Sequence, residues 1–275
     1  MTSTNDDGQR QTLRALKHVV IDMDGVLYRG SEPIAGTAEF LDFLRRQGIG
    51  LMLATNNATR TPQQFVDKLT GMGVAVEPGE ILTSSLATAS YLAGITARGT
   101  RVFVVGQEGL RMALRQAGFE LVEEDAEYVV AGMDFEICYP KLAEATLQIR
   151  AGATFIGTNP DKTFPSERGI LPGAGSLLAF LEASTGVTPT IIGKPETAMM
   201  EQAMEQMGAV PAAAAVLGDR LETDILAGQQ AGMATLLVLT GVTTQQMLAE
   251  SEIQPDLVFD DVAHLHAAWK EALGD

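Results

Sequence analysis

Short apolar runs that stop on polar residues, each followed by a stretch of helical periodicity, recur along most of this chain. Such runs read as buried strands at residues 19–21, 49–54, 101–105, 127–131, 154–157, 190–192, 212–217, 235–239 and 257–259. Between them lie amphipathic or apolar helical stretches, among them 36–47, 62–72, 84–92, 108–116, 141–150, 176–183 and 263–273. Gly48 and Gly118 stand where helices stop, and Pro62 stands at a first helical position. Strands alternating with helices in this way build βαβ units around a parallel sheet, so the fold class is α/β.

The alternation has a change of style in its middle. The strands before residue 89 and after residue 188 end on chemically active side chains, whereas those between end mostly on small or apolar ones. We therefore expect a core formed by residues 1–88 and 189–275, with a second α/β domain, 89–188, inserted in it. The polar start, Met1 to Gln11, reads as a loose lead-in without the basic start and apolar centre of a signal peptide. Trp269 is expected to anchor the final helix, and the methionines from Met199 to Met207 to pack at helical spacing.

Charge and cysteine content remove several classes of function. Nineteen Lys and Arg against 35 Asp and Glu give a formal net charge of −16. No basic footprint is available to displace phosphate counterions, which argues against a nucleic acid polymer as partner. The same charge disfavours an anionic membrane surface, and no apolar run reaches the ~20 residues that span a bilayer. A small anionic substrate stays open where a metal and a few local cations reverse the sign inside a cleft. Cys138 is the only cysteine, so no internal disulfide forms and a reducing, cytoplasmic location is expected. His18, His264 and His266 are too few and too scattered for a histidine-rich zinc site.

Four strand ends carry the chemistry. The first strand runs into Asp22-Met-Asp24-Gly25; the second ends on Thr55-Asn56-Asn57; the strand at 190–192 leads to Gly193-Lys194-Pro195; the strand at 212–217 leads to Gly218-Asp219 and on to Asp224. If all four strands are parallel neighbours, these groups converge on the carboxyl edge, where open α/β sheets bind ligands. The carboxylates suit Mg²⁺, a hard cation that takes oxygen ligands, while a hydroxyl, an amide and an ammonium suit phosphate oxygens. Taken alone, Asp-Met-Asp-Gly reads equally well as an acidic turn, Asn57 as a turn residue, and Asp224 as a helix cap.

Together, and in this order, the four sets resemble the haloacid dehalogenase superfamily. The resemblance extends to its NagD-like or p-nitrophenylphosphatase-like branch. It rests on Asp22-Met-Asp-Gly-Val-Leu-Tyr-Arg-Gly30, Thr55-Asn-Asn-Ala-Thr-Arg60, Gly157-Thr-Asn-Pro-Asp161, Pro172-Gly-Ala-Gly-Ser-Leu177 and Gly193-Lys-Pro-Glu196, which span nearly the whole chain. It implies a Rossmann-like core with an inserted α/β cap, and a Mg²⁺-dependent phosphatase acting on a small phosphorylated metabolite. Asp22 would be the nucleophile and Asp24 the general acid and base. Asp22, the Asp24 main-chain carbonyl and Asp219 would hold the metal, with Asp224 orienting metal-bound water or Lys194. Thr55, Asn56, Asn57 and Lys194 would bind the phosphoryl group. Family members that work as dehalogenases lack the second acid and phosphate-transferring pumps replace it with threonine, so Asp24 favours hydrolysis.

The cap is expected to set the substrate. In the related pyridoxal phosphatase a histidine precedes the proline of the 158–165 loop; here it is Phe164, which weakens any claim for pyridoxal phosphate. The roles of Phe164 and Asp161 stay open. Sugar phosphates, nucleoside monophosphates, glycerol phosphate and phosphoglycolate are all compatible, and caps of this branch leave a homodimer open. Two alternatives remain. A phosphomutase or other phosphotransferase of this superfamily generally carries a smaller helical cap before the second motif, where only ~30 residues are available here, too few for a domain. A non-catalytic phosphometabolite-binding protein would need no nucleophile and acid pair.

Overall fold

The computed structural model describes residues 3–166 and 168–274. Its contacts divide the chain into two compact units. One comprises the residues up to Ala54, Val66–Ile81 and Met200 onward; the other comprises Thr55–Phe65 and Leu82–Met199.

The first unit is built on a six-stranded sheet in the order Leu257–Phe259, Ala234–Val238, Ala214–Gly218, His18–Ile21, Gly50–Thr55, Ile81–Thr83. The first five strands in that order pair in parallel. Apart from Leu257–Phe259, where Val258 is exposed, their apolar runs are covered on both faces: Val19, Val20, Ile21, Leu53, Ala215, Val216, Leu217, Leu236 and Leu237 are all buried. That explains why they read as continuous apolar stretches rather than alternating ones. The chain fills the sheet outward from His18–Ile21 in one direction and from Ala214–Gly218 in the other. These two strands are adjacent and in register, with Ile21 opposite Leu217. Their carboxyl ends mark the topological switch point, where ligands bind in such sheets.

Trp269 does anchor the last helix, Val262–Leu273: it is fully buried, with its ring 6.2 Å from Phe40 and 6.4 Å from Phe43. The start of the chain differs from expectation. It is a helix, Ser3–Ala15, not a loose lead-in. Leu13 is fully buried, Arg10 pairs with Glu271, and the Arg14 guanidinium donates to the Ala272 carbonyl. Its polar composition hid Leu13, buried within the helix, and Leu16, buried just past its end.

The second unit holds a five-stranded parallel sheet in the order Thr190–Ile191, Thr154–Gly157, Tyr128–Ala131, Arg101–Val105, Glu120–Leu121. Its core joins Phe103, Val105, Val129 and Phe155 to Ile149, Leu178 and Leu181 of the flanking helices. A hairpin unanticipated from the sequence pairs Thr163–Ser166 with Gly169–Pro172. One expectation is corrected here. The strand before Lys194 does not join the sheet of the other three motifs: Thr190 and Ile191 pair with Ile156 and Gly157. Two paired residues carry too little pattern to choose between two parallel sheets, and hydrogen bonding to Thr154–Gly157 decides it. The expected boundary at residue 88 also falls inside a continuous helix, Ser84–Ile95. Among the described residues no helix is long and apolar enough to cross a membrane.

Candidate active site

At the switch point of the first unit, three carboxylates meet. Asp22, Asp219 and Asp224 each offer an oxygen, and these oxygens lie within 4.8 Å of one another. The backbone dictates this. Asp22 continues the ladder past the first strand, its N–H donating to Leu217 O at 2.8 Å, and Asp219 follows directly on Gly218 of the neighbouring strand. Asp219 and Asp224 are each 1% exposed. Burying carboxylates this thoroughly is costly unless a cation or hydrogen-bond donors compensate.

The Asp224 side chain turns back onto the strand end that precedes it. It sits in a π turn, Leu221–Ile225, and its Oδ2 accepts the main-chain N–H groups of Asp219 (3.3 Å) and Arg220 (3.1 Å). That fold-back needs Gly218, because a Cβ there would stand 2.1 Å from Asp224 Cβ. Gly25 is required for two reasons: its φ is +93°, and a Cβ would lie 2.6 Å from Asp219 Cγ. The D-x-D-G and G-D motifs are thus one packed object.

Asp24 lies in the same loop, which closes through Gly25 N–H on Tyr28 O at 2.8 Å. Its side chain is open to solvent on one side, yet crowding by protein atoms desolvates the carboxyl and pushes it above the usual carboxylate range. The Lys68 ammonium, then the Arg220 guanidinium and the Gly30 N–H, pull the other way. Solvent on the open side limits the effect; the upward direction is the one required of a group that donates a proton. Lys68 also lies 3.5 Å from the centroid of the Tyr28 ring. Lys68 was not singled out from the sequence, since an exposed-looking lysine on a helix carries no motif. Arg220 adjoins Asp219 in the sequence but carries no motif of its own.

The remaining expected residues cluster within the second unit. Thr55, the last residue of its strand and 7% exposed, lies two positions past Leu53, the register partner of Ile21. Lys194 is 3% exposed, far from a surface lysine. Asn56 donates from Nδ2 to the Lys194 carbonyl at 2.9 Å and to Asp161 Oδ2 at 3.1 Å. The Asn56 carbonyl in turn accepts from Ser84 Oγ (2.6 Å) and Asn159 Nδ2 (2.8 Å). A carboxamide has only two N–H donors, so both Asn56 donors are committed to a bracket between the Lys194 main chain and the 158–165 loop. Asn57 forms an Asx turn, its Oδ1 accepting from Thr59 N and Thr59 Oγ1, both at 2.8 Å. Asp161 thereby gains a partner that its sequence setting did not reveal. Phe164 packs edge-on against Phe135, centroids 6.1 Å apart.

A second polar knot lies at the carboxyl edge of the second sheet. Asp134, 2% exposed, accepts from Lys141 Nζ (2.7 Å), Gln107 Nε2 (2.9 Å) and Glu136 N (2.9 Å). Burial would raise its carboxyl, but these donors and the lysine charge outweigh burial and hold it below the usual range.

A parallel sheet with acids at its switch point and a lysine motif further along defines a class, and comparison with known proteins agrees with it. Residues 19–120 match the family model described as haloacid dehalogenase-like hydrolase, and residues 191–265 match a second model described as HAD-hydrolase-like. The chain is 42% identical over 251 residues to an acid sugar phosphatase of Staphylococcus aureus, covering 91% of this chain and 96% of that one. Among solved structures, NagD from Escherichia coli K-12 superposes with a TM-score of 0.85 at 34% identity, covering 90% and 97% of the two chains. The glycerol phosphate phosphatase of Mycobacterium tuberculosis, in complex with magnesium, superposes with a TM-score of 0.87 at 34% identity, covering 94% and 79%. The chain belongs to the haloacid dehalogenase-like hydrolases. Within them it is a NagD-like phosphatase, with the family's Rossmann-like core and α/β cap.

Proposed function

We propose that this phosphatase hydrolyses small phosphomonoesters through an aspartyl-phosphate on Asp22, with Mg²⁺ as its cofactor. One observation carries the reading: the convergence of Asp22, Asp219 and Asp224 within 4.8 Å at the switch point. Three carboxylates at that spacing are a hard, oxygen-only donor set, which fits Mg²⁺. Asp22, the Asp24 main-chain carbonyl and Asp219 would hold the ion, with Asp224 behind them. When bound, the ion neutralises charge, so that an anionic carboxylate and a phosphate dianion can approach each other.

The protein's own groups account for the steps. An Asp22 oxygen attacks phosphorus in line, and the bond from phosphorus to the leaving oxygen breaks. Asp24, whose carboxyl is pushed above the usual range by burial, gives a proton to that oxygen. Water then attacks phosphorus, Asp24 takes the water's proton, inorganic phosphate leaves, and Asp22 is restored. Thr55 and Lys194 supply a hydrogen bond and a positive charge to the phosphoryl oxygens, the main requirement in such transfers. Asn56 contributes in this reading by holding the Lys194 main chain, and Asn57 by shaping the loop.

In functional terms the inserted α/β segment is the cap that reads the leaving group, and its first boundary is better placed at the start of the helix Ser84–Ile95 than at residue 88. Sugar and polyol phosphates head the candidate substrates, because the named activities of the S. aureus and M. tuberculosis relatives are of that kind. The exposed, lone Cys138 fits a cytoplasmic setting, and a homodimer is the assembly to look for by light scattering. The test is p-nitrophenyl phosphate hydrolysis with and without Mg²⁺, followed by a panel of phosphorylated metabolites ranked by kcat/KM. Activity that needs Mg²⁺ and disappears in Asp22→Asn supports the reading; an inactive wild type with Mg²⁺, or a fully active Asp22→Asn, ends it.

A further inference from the structure

The segment Thr240-Gly241-Val242-Thr243, which follows the strand Ala234–Val238, carries no motif of the reaction, yet it is wrapped around Asp219. The Val242 N–H donates to Asp219 Oδ2 at 2.6 Å, a short, charge-assisted hydrogen bond. The next N–H, of Thr243, donates to the Asp219 carbonyl at 3.1 Å. The same segment reaches the first motif: Thr240 Oγ1 donates to the Gly25 carbonyl at 2.6 Å, and the Arg29 guanidinium donates to the Thr240 carbonyl.

Packing makes the arrangement specific. A Cβ on Gly241 would stand 1.8 Å from Asp219 Oδ2 and 2.3 Å from Asp219 Cγ, while a Cβ on Gly25 would stand 2.6 Å from the same Cγ. The Asp219 carboxylate is therefore pressed between two glycines that belong to different strand ends. With Oδ2 engaged by a main-chain donor, the carboxylate is fixed in orientation before any ligand arrives.

We infer that residues 240–243 form a positioning clamp for the metal-ligating carboxylate, with Thr240 tying that clamp to the loop that carries Asp22 and Asp24. The clamp's work is preorganisation. Without it, Asp219 and the first motif still offer their oxygens, but each must be ordered at the moment the cation binds. Partners that orient ligands in this way typically account for about 10–100-fold in metal affinity. The Thr240 hydroxyl bonds to the Gly25 carbonyl, so its effect is expected to reach the chemistry through Gly25 and Asp219. The inference rests on the reading of Asp219 as a magnesium ligand.

The experiment is calorimetric titration of Mg²⁺ into the full chain without substrate, for wild type, Thr240→Val, Thr240→Ser and Gly241→Ala. Thermal unfolding of each metal-free protein establishes that it is folded. Thr240→Val keeps the shape and loses the donor, and is expected to weaken Mg²⁺ by about tenfold with little change in the metal-free unfolding temperature. Thr240→Ser restores the donor and the affinity. Gly241→Ala is expected at the upper end, about 100-fold, because the new methyl displaces the carboxylate. A folded Thr240→Val that binds Mg²⁺ as tightly as wild type overturns the clamp and leaves the metal reading intact. A wild type that binds no Mg²⁺ overturns the metal reading, and the clamp with it.

Discussion

Replacing Asn56 with leucine separates two ways in which this residue could serve the enzyme. Leucine has nearly the same shape and no donor. It removes the bond to the Lys194 carbonyl at 2.9 Å and the bond to Asp161 Oδ2 at 3.1 Å. A neutral hydrogen bond contributes about 1 kcal/mol net, and one to a charged acceptor about 1.5–3 kcal/mol. Against these stands the Asn56 Oδ1, a buried acceptor with no hydrogen-bond partner among the described residues, whose removal returns about 1 kcal/mol. The expected loss of stability is therefore about 1.5–3 kcal/mol, read by urea unfolding. Because the Lys194 main chain loses its tether, kcat/KM on p-nitrophenyl phosphate should also fall, by up to about 100-fold. The decisive assay is a double-mutant cycle with Lys194→Met: if Asn56 acts by placing Lys194, the two losses in kcat/KM are strongly non-additive. Unchanged stability together with additive losses would refute the bracket and return Asn56 to direct phosphate binding.

Other perturbations follow the same logic. Gly218→Ala forces a methyl against Asp224, where a Cβ would lie at 2.1 Å, and should abolish activity while lowering the unfolding temperature. Leu13→Ala is expected to cost about 2–4 kcal/mol in urea unfolding, as befits a fully buried leucine rather than one in a loose lead-in. Asp134→Asn should destabilise at neutral pH, because the native carboxyl is held below its ordinary value and its stabilisation is present above the unfolded value of 3.8. That stabilisation is lost as pH falls through the lowered native value, so the gap between mutant and wild type should close in acid. A gap that widens in acid would reverse the assigned direction.

Much of this molecule was legible in its sequence because burial on both faces leaves an unbroken apolar run. The runs at 101–105 and 154–157 became strands with the same limits. Asp22, Asp219 and Asp224 could be brought together on paper because parallel register places strand ends side by side. What stayed hidden depended on backbone or tertiary choices. Thr190 and Ile191 chose a sheet by hydrogen bonds that a two-residue pattern does not encode. The 240–243 segment acts through main-chain N–H groups, which look alike at every residue. In the hairpin around Phe164 no described side chain is fully buried to mark a period, and the donors of Asn56 could be assigned only once Asp161 and the Lys194 carbonyl were seen beside them.

The central claim is that phosphorus is bonded to Asp22 during turnover. It is tested most directly with Asp24→Asn, mixed with p-nitrophenyl phosphate and Mg²⁺, acid-quenched, digested and weighed by mass spectrometry. p-Nitrophenolate is a good leaving group and departs without a general acid, whereas the water that releases phosphate needs the base that this variant lacks. A phosphoryl adduct approaching one per chain is expected on the peptide containing Asp22, and none when Asp22 is also changed to asparagine. An adduct on another residue, or product released by Asp24→Asn with no adduct at any quench time, would contradict that claim.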